Sequence, residues 1–353
     1  MPIFDQGYQH WSGELSGHAW RWLAVARHGI RVSLANRLVR VVLLLSWLPA
    51  ASLAAVLCLW GLLEQKSPLV ASILPMLSFL NPAILAGPRA FRVEVWTIAY
   101  HYFLSVELWF SMVLIVLVGP NLISRDLRYN ALPLYLSRPL RRIDYFLGKL
   151  AVIVGILSLV TIVPSLFAYV LGLLFSLDLS IIGDTFGILL ASLAYGLLIS
   201  VSAGLFVLAL SSLSRNSRYI ALLWIGIWLI GGSVSGLLNT IDEAQRHRQA
   251  WMEGWGNNQR LMFEHDQAAA RENWRPLVSY TANLARIEQA LLDTDASWRR
   301  LTAVLPVHAR VRVLKDFLGP QYPWQWSAGV LLGLIGFSVW VLNRSVKSLD
   351  RLK

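Results

Sequence analysis

The chain has 353 residues, 56% of them hydrophobic and only 14% charged, with a mean hydropathy of +0.55. A soluble globular domain carries about a quarter charged residues, so this balance excludes an ordinary soluble enzyme and identifies a polytopic membrane protein. The formal net charge of +11 is not a nucleic-acid signal, because the basic residues are dispersed between apolar runs, where orientation in a bilayer accounts for them.

Residues 1–38 lack an apolar core long enough for a cleavable signal. Residues 14–40 predict a helix whose stripe of Leu23, Ile30, Leu34 and Leu38 is bordered by Arg27, Arg31 and Arg37. Arginine stems lie along apolar surface while their heads reach phosphates, so this helix is expected flat on the inner leaflet, anchored by Trp20 and Trp22. The first predicted span, 41–63, is free of charge and holds the single cysteine, Cys58, which can form neither an intrachain disulfide nor a Cys-based metal site. The second, about 97–123, is broken by His101 and Glu107. An acid at the centre of a span costs roughly 2.5–3.5 kcal/mol, so Glu107 must face protein or water. It is a candidate substrate or proton site, as is His101, or else a structural residue bonded to a neighbouring span. The two stand six residues apart on different helical faces and make no obvious pair.

A loop at 123–149 follows, with six basic and two acidic residues between hydrophobic walls. The third span, 150–175, contains Pro164 and should kink there. The fourth (185–213) carries Gly196, Ser200 and Gly204, and the fifth (219–241) carries Gly232 and Gly236. Both sets are spaced for close helix packing, expected within the chain more than at a subunit seam. Residues 242–323 read as a small helical cap over the outer mouth, with a segment that could dip into the membrane. His247, His265 and His308 are too scattered there for a metal site. The sixth span, 326–342, is flanked by Trp324, Trp326 and Trp340 and ends in a basic tail.

With the N-terminus inside, the segments 1–38, 124–149, 214–218 and 343–353 hold sixteen Lys/Arg against five Asp/Glu. The short outer loop 175–184 holds two acids and no base. That bias places the N- and C-termini and the 123–149 loop in the cytoplasm. The outer segment 242–323 is too long for the charge rule, and its side follows from the span count alone. Four units result: a cytoplasmic region with an interfacial helix (1–40), spans one to five (41–241), the outer helical segment (242–323), and the last span with its tail (324–353).

The loop has a pattern of its own. Gly119-Pro120, Ile123-Ser-Arg-Asp-Leu-Arg128, Ala131-Leu132, Ser137-Arg-Pro139 and Tyr145-x-x-Gly148-Lys149 resemble the permeases of type-2 ABC exporters, the ABC-2 superfamily. The six spans, the helix ahead of the first and the basic tail fit along almost the whole chain. The resemblance implies that 123–149 is a coupling helix docking on an ATPase subunit, with Asp126, Arg128, Arg138, Arg141, Arg142 and Asp144 as contacts. A helix–Pro133–helix layout with interleaved Leu127, Leu132, Leu134 and Leu136 suits insertion into a partner's groove. The family usually has a far shorter segment between its last two spans than the 82 residues found here.

The chain has no phosphate-binding loop of its own: in its one Gly-Lys pair, Gly148-Lys149, Leu150 follows and Ile143 stands where the first glycine should be. It is not expected to be an enzyme or to bind a cofactor or metal. ATP and magnesium would sit on a separate ATPase, present in two copies, and a second permease copy or paralogue would complete the path in a bacterial-type cell membrane. Lipids are its other partners; nucleic acid is not. The competing readings are an ion-coupled carrier built on Glu107, and an intramembrane enzyme or a membrane scaffold without transport. The carrier lacks the inverted repeat and matched broken helices such proteins use.

Overall fold

Backbone crossing hydrocarbon must satisfy its own N–H and C=O groups, so charge-free runs of this length fold as helix. The computed structural model describes residues 20–68, 82–131, 141–254, 258–318 and 321–347, and no strand occurs among them. Among the described residues six helices are long and apolar enough to cross a membrane: Arg37–Glu64, Pro88–Arg128, Arg142–Ser176, Ser180–Leu213, Ser217–Met252 and Trp324–Ser345.

Helix α1 (Arg21–Ala35) precedes the spans. The first span is α2 (Arg37–Leu45) with α3 (Trp47–Glu64), and the Asn36 side chain caps α2 by accepting the Leu38 N–H at 3.0 Å. The second is α4 (Arg92–Val118) continued by α5 (Pro120–Arg128). The third is α6 (Arg142–Ser158) with α7 (Ile162–Ser176). The interruption lies at residues 159–161, just ahead of the expected kink at Pro164. A proline supplies no N–H and crowds the carbonyl four residues back, so the break falls upstream of the ring.

Helix α8 (Ser180–Leu213) is the fourth span and the most buried of the six. Two of its buried serines are held locally: the hydroxyls of Ser192 and Ser200 donate to carbonyls three and four residues back, at 2.8 and 2.7 Å. A helix with small, self-satisfied side chains lets its neighbours approach closely, and α4, α6, α7 and the sixth span all pack on it. The fifth span is α9 (Ser217–Ile225), a π-helical turn (Gly226–Ile230) and α10 (Gly231–Met252). It is the least buried span and runs eleven residues past the predicted end at Ile241, because charges at 242–252 end the apolar run without breaking the helix.

The outer segment continues as α11 (Gln259–Ala270), α12 (Tyr280–Leu292), α13 (Thr294–Thr302) and α14 (Val307–Phe317), before α15 (Trp324–Lys347) forms the sixth span. It is not only a cap. Helix α12 enters the bundle and packs on α4, α8 and α15. At its deep end the Tyr280 hydroxyl meets Ser202 Oγ at 2.9 Å, with Trp224 and Phe206 around the ring. At 1.5 Å per residue Ser202 lies about 33 Å along α8, so α12 is a re-entrant element.

Candidate functional site

Helix α5 starts at Pro120 behind Gly119, which has no side chain to cap it. The Leu122 N–H bonds back to the Gly119 carbonyl at 3.1 Å, and the next two N–H groups gain a side-chain acceptor. Ser211 of α8 provides it: its Oγ accepts the N–H groups of Ile123 and Ser124 at 3.2 and 3.0 Å and donates to the Pro120 carbonyl at 2.9 Å. Ser211 is fully buried, so Ser211→Ala removes three buried hydrogen bonds that tie α5 to α8. The expected cost is about 1–3 kcal/mol, read as a lower melting temperature in detergent.

Beyond α5 the chain returns through α6, and Asp126 clamps the two arms together. It takes a salt bridge from Lys149 Nζ and a hydrogen bond from the Tyr145 hydroxyl, both at 2.7 Å. Asp144 caps α6 by accepting the Arg141 N–H at 3.1 Å. Both acids expected to contact a partner are thus engaged within the elbow. Arg128, Arg141 and Arg142 stay exposed, flanked by Tyr129 and Ile143 at 66% and 68% exposure. Arg138 and the helix–Pro133–helix layout, with Leu132, Leu134 and Leu136, lie outside the described residues.

Helix α1 lies on the first half of the third span through glycines. A Cβ at Gly148 would stand 2.6 Å from Val25 Cβ and 2.9 Å from the Trp22 carbonyl oxygen. One at Gly155 would meet Ile30 Cδ1 at 2.9 Å, and one at Gly29 would strike Val152. Ile30 and Leu34 pack on the core, whereas Leu23 and Leu38 are exposed. The expected single stripe is split, because the chain bends at Asn36 and small residues, not leucines, make the tightest contact.

Within the bundle His101 and Glu107 go separate ways. His101 Nδ1 pairs with Glu288 of α12 at 2.9 Å, so it docks the re-entrant helix on the second span. Glu107 is fully buried, and neither carboxylate oxygen has a partner among the described residues; the Ser111 hydroxyl one turn on is in the same state. The four glycines also divide. Gly196 lies against Thr161 and Ile162, and Gly204 against Leu150 and Ile153, all in the third span. Gly232 and Gly236 make no such close approach: a Cβ would meet only Ser279 Oγ at 4.0 Å for the first and nothing within 4 Å for the second. They border a cavity of about 540 Å³ facing Glu288 and the Trp109–Trp228 pair, whose rings are 5.2 Å apart.

These features define a multi-pass, all-helical membrane protein with a preformed basic elbow at one end. The profile of the ABC-2 family transporter protein matches residues 23–310, and the chain belongs to that family. It is a permease component of an ABC transporter, the membrane-embedded part and not the ATPase. No curated protein matches it in sequence.

Proposed function

We propose that this permease exports its substrate from the cytoplasm or inner leaflet, driven by two copies of a separate ATPase that dock at the elbow. The observation that carries this reading is the division of labour there. Asp126, Tyr145 and Lys149 lock the arms, and Arg128, Arg141 and Arg142 lie exposed on the elbow's surface, where a docked subunit would meet them. The elbow end is cytoplasmic by its charge, and ATP and magnesium belong to the partner. A second permease copy completes the path.

Movement follows from the contacts. A pull on the elbow moves α5 and α6 as one piece through the Asp126–Lys149 bridge. Ser211 passes it to α8, and the glycine contact passes it to α1. Such coupling requires that the open and closed ATPase differ in their contacts with the elbow. The outer cavity beside Gly232 and Gly236 is the candidate place for substrate; Glu107 does not line it.

The test is charge reversal, Arg141→Glu with Arg142→Glu. Both sites are exposed, so stability should move by no more than about 0.5 kcal/mol, while ATPase co-purification and ATP-driven transport are lost. Wild-type transport by the double variant rules out docking at these arginines. Transport that survives ATP depletion but stops with a proton ionophore points instead to an ion-coupled carrier.

A further inference from the structure

At the elbow end a second cavity of about 540 Å³ opens between α1, the start of α2, the end of the second span and the loop before α9. One part of its wall is apolar: Val32, Val39, Leu117 and Leu122. The other is cationic: Arg125, Arg128, Lys149 and Arg215, with His28. The acid lining it, Asp126, is already held by Lys149 and Tyr145. Arg125, Arg128 and Arg215 form no ion pair among the described residues, so three guanidinium charges face the same space unopposed. Ser33, Asn36 and Ser217 add polar groups to its wall.

We propose that this cavity binds the phosphate headgroup of an anionic phospholipid. Its position argues for lipid over a soluble acid. The lining is drawn from the termini of the first, second, third and fifth spans, which lie in the headgroup plane of a bilayer. A basic pocket between spans at that depth, with an apolar wall behind it, suits a phosphodiester attached to acyl chains. Guanidinium forks match phosphate oxygens in paired hydrogen bonds, and the volume is within the range of small-ligand sites. The occupied site would join α1, α5 and the start of α9 through one ligand, so the lipid would set how firmly the elbow is braced. Arg128 is shared with the proposed ATPase contact, but Arg125 and Arg215 are not, so the test below is built on those two.

The full-length chain, purified into micelles holding equal phosphatidylglycerol and phosphatidylcholine, is analysed for retained lipid by native mass spectrometry. The expected result is one phosphatidylglycerol held in preference, with the preference falling about tenfold or more in Arg125→Gln/Arg215→Gln. The Arg125→Lys/Arg215→Lys variant should keep much of it, and the melting temperatures of both variants report that they are folded. Millimolar inorganic phosphate should fail to displace the lipid; complete displacement makes this a free-anion site and overturns the proposal. Equal retention of the two lipids, or an unchanged preference in the Gln variant, also overturns it. So does a Gln variant that keeps the lipid but loses ATPase co-purification, because the cavity is then a protein-docking surface.

Discussion

Arg92→Ala is expected to cost about 3–5 kcal/mol, enough to lower the melting temperature sharply and to reduce the amount of folded protein recovered from membranes. The arginine opens the second span at the end opposite the elbow and is 3% exposed. Its Nε donates to Glu64 at 2.9 and 3.0 Å, its Nη2 reaches Asp178 at 3.1 Å, and its Nη1 reaches Asp184 at 2.9 Å and Ser180 at 3.1 Å. Three spans, with the link between the third and fourth, therefore meet on one guanidinium. Glu64, the last residue of α3, has a side chain only 2% exposed. Without Arg92 it becomes a buried carboxylate with no counter-charge, and that penalty dominates the loss. Removing both partners, Arg92→Leu with Glu64→Leu, should therefore recover a large part of it. Asp184→Asn should cost less than about 1 kcal/mol, since that side chain is half exposed and water replaces the arginine.

The same cluster gives an acid limb to stability. The Ser180 N–H and hydroxyl, then Arg92, hold Asp178 down to about 2. A carboxyl depressed in the folded state stabilises fully above its unfolded value of about 4 and loses that contribution as pH falls toward 2. Melting temperatures of wild type and Asp178→Asn should converge across that interval. A constant gap would mean that the carboxylate does not contribute through its charge.

How much of this could be read from the chain depends on whether a feature is set by neighbours in sequence or across space. The six spans were legible because a charge-free run in hydrocarbon has one way to bond its backbone. The end of the fifth helix was not, since Asp242 and Glu243 stop the hydropathy and leave the helix intact. At the elbow the motif residues stood out, but their division did not. Asp126 and Arg128 are two residues apart, yet one is tied to Lys149 and the other is exposed. Ser211 had no signal, being one serine among Ser211, Ser212 and Ser214 until Pro120 is placed beside it. Glu288 was one of ten acids in the outer segment, and its partner His101 lies 187 residues away. Gly196, Ser200 and Gly204 share a four-residue spacing with Gly232 and Gly236, but only the first set has a helix close against its glycines.

Gly148→Leu should separate α1 from the third span and abolish coupled transport. The position allows no local escape. A Cβ there stands 2.6 Å from Val25 Cβ and 2.9 Å from the Trp22 carbonyl oxygen, and neither atom moves by side-chain rotation. Helix α1 must shift bodily, at an overpacking cost of about 1–3 kcal/mol. Gly155 lies two turns along the same face, where a Cβ would meet the flexible tip of Ile30 at 2.9 Å. Gly155→Ala should therefore cost less than about 1 kcal/mol and leave transport close to wild type. Stability and transport must be measured in both, because a merely destabilised Gly148→Leu protein would regain transport at lower temperature. If α1 is the brace against which the elbow is pulled, Gly148→Leu stays folded on cooling, keeps the exposed Arg141 and Arg142 and the bound ATPase, and hydrolyses ATP without moving substrate. Normal transport per ATP in that variant would show that the glycine contact serves packing alone, and that force enters through α5 and α8 without α1.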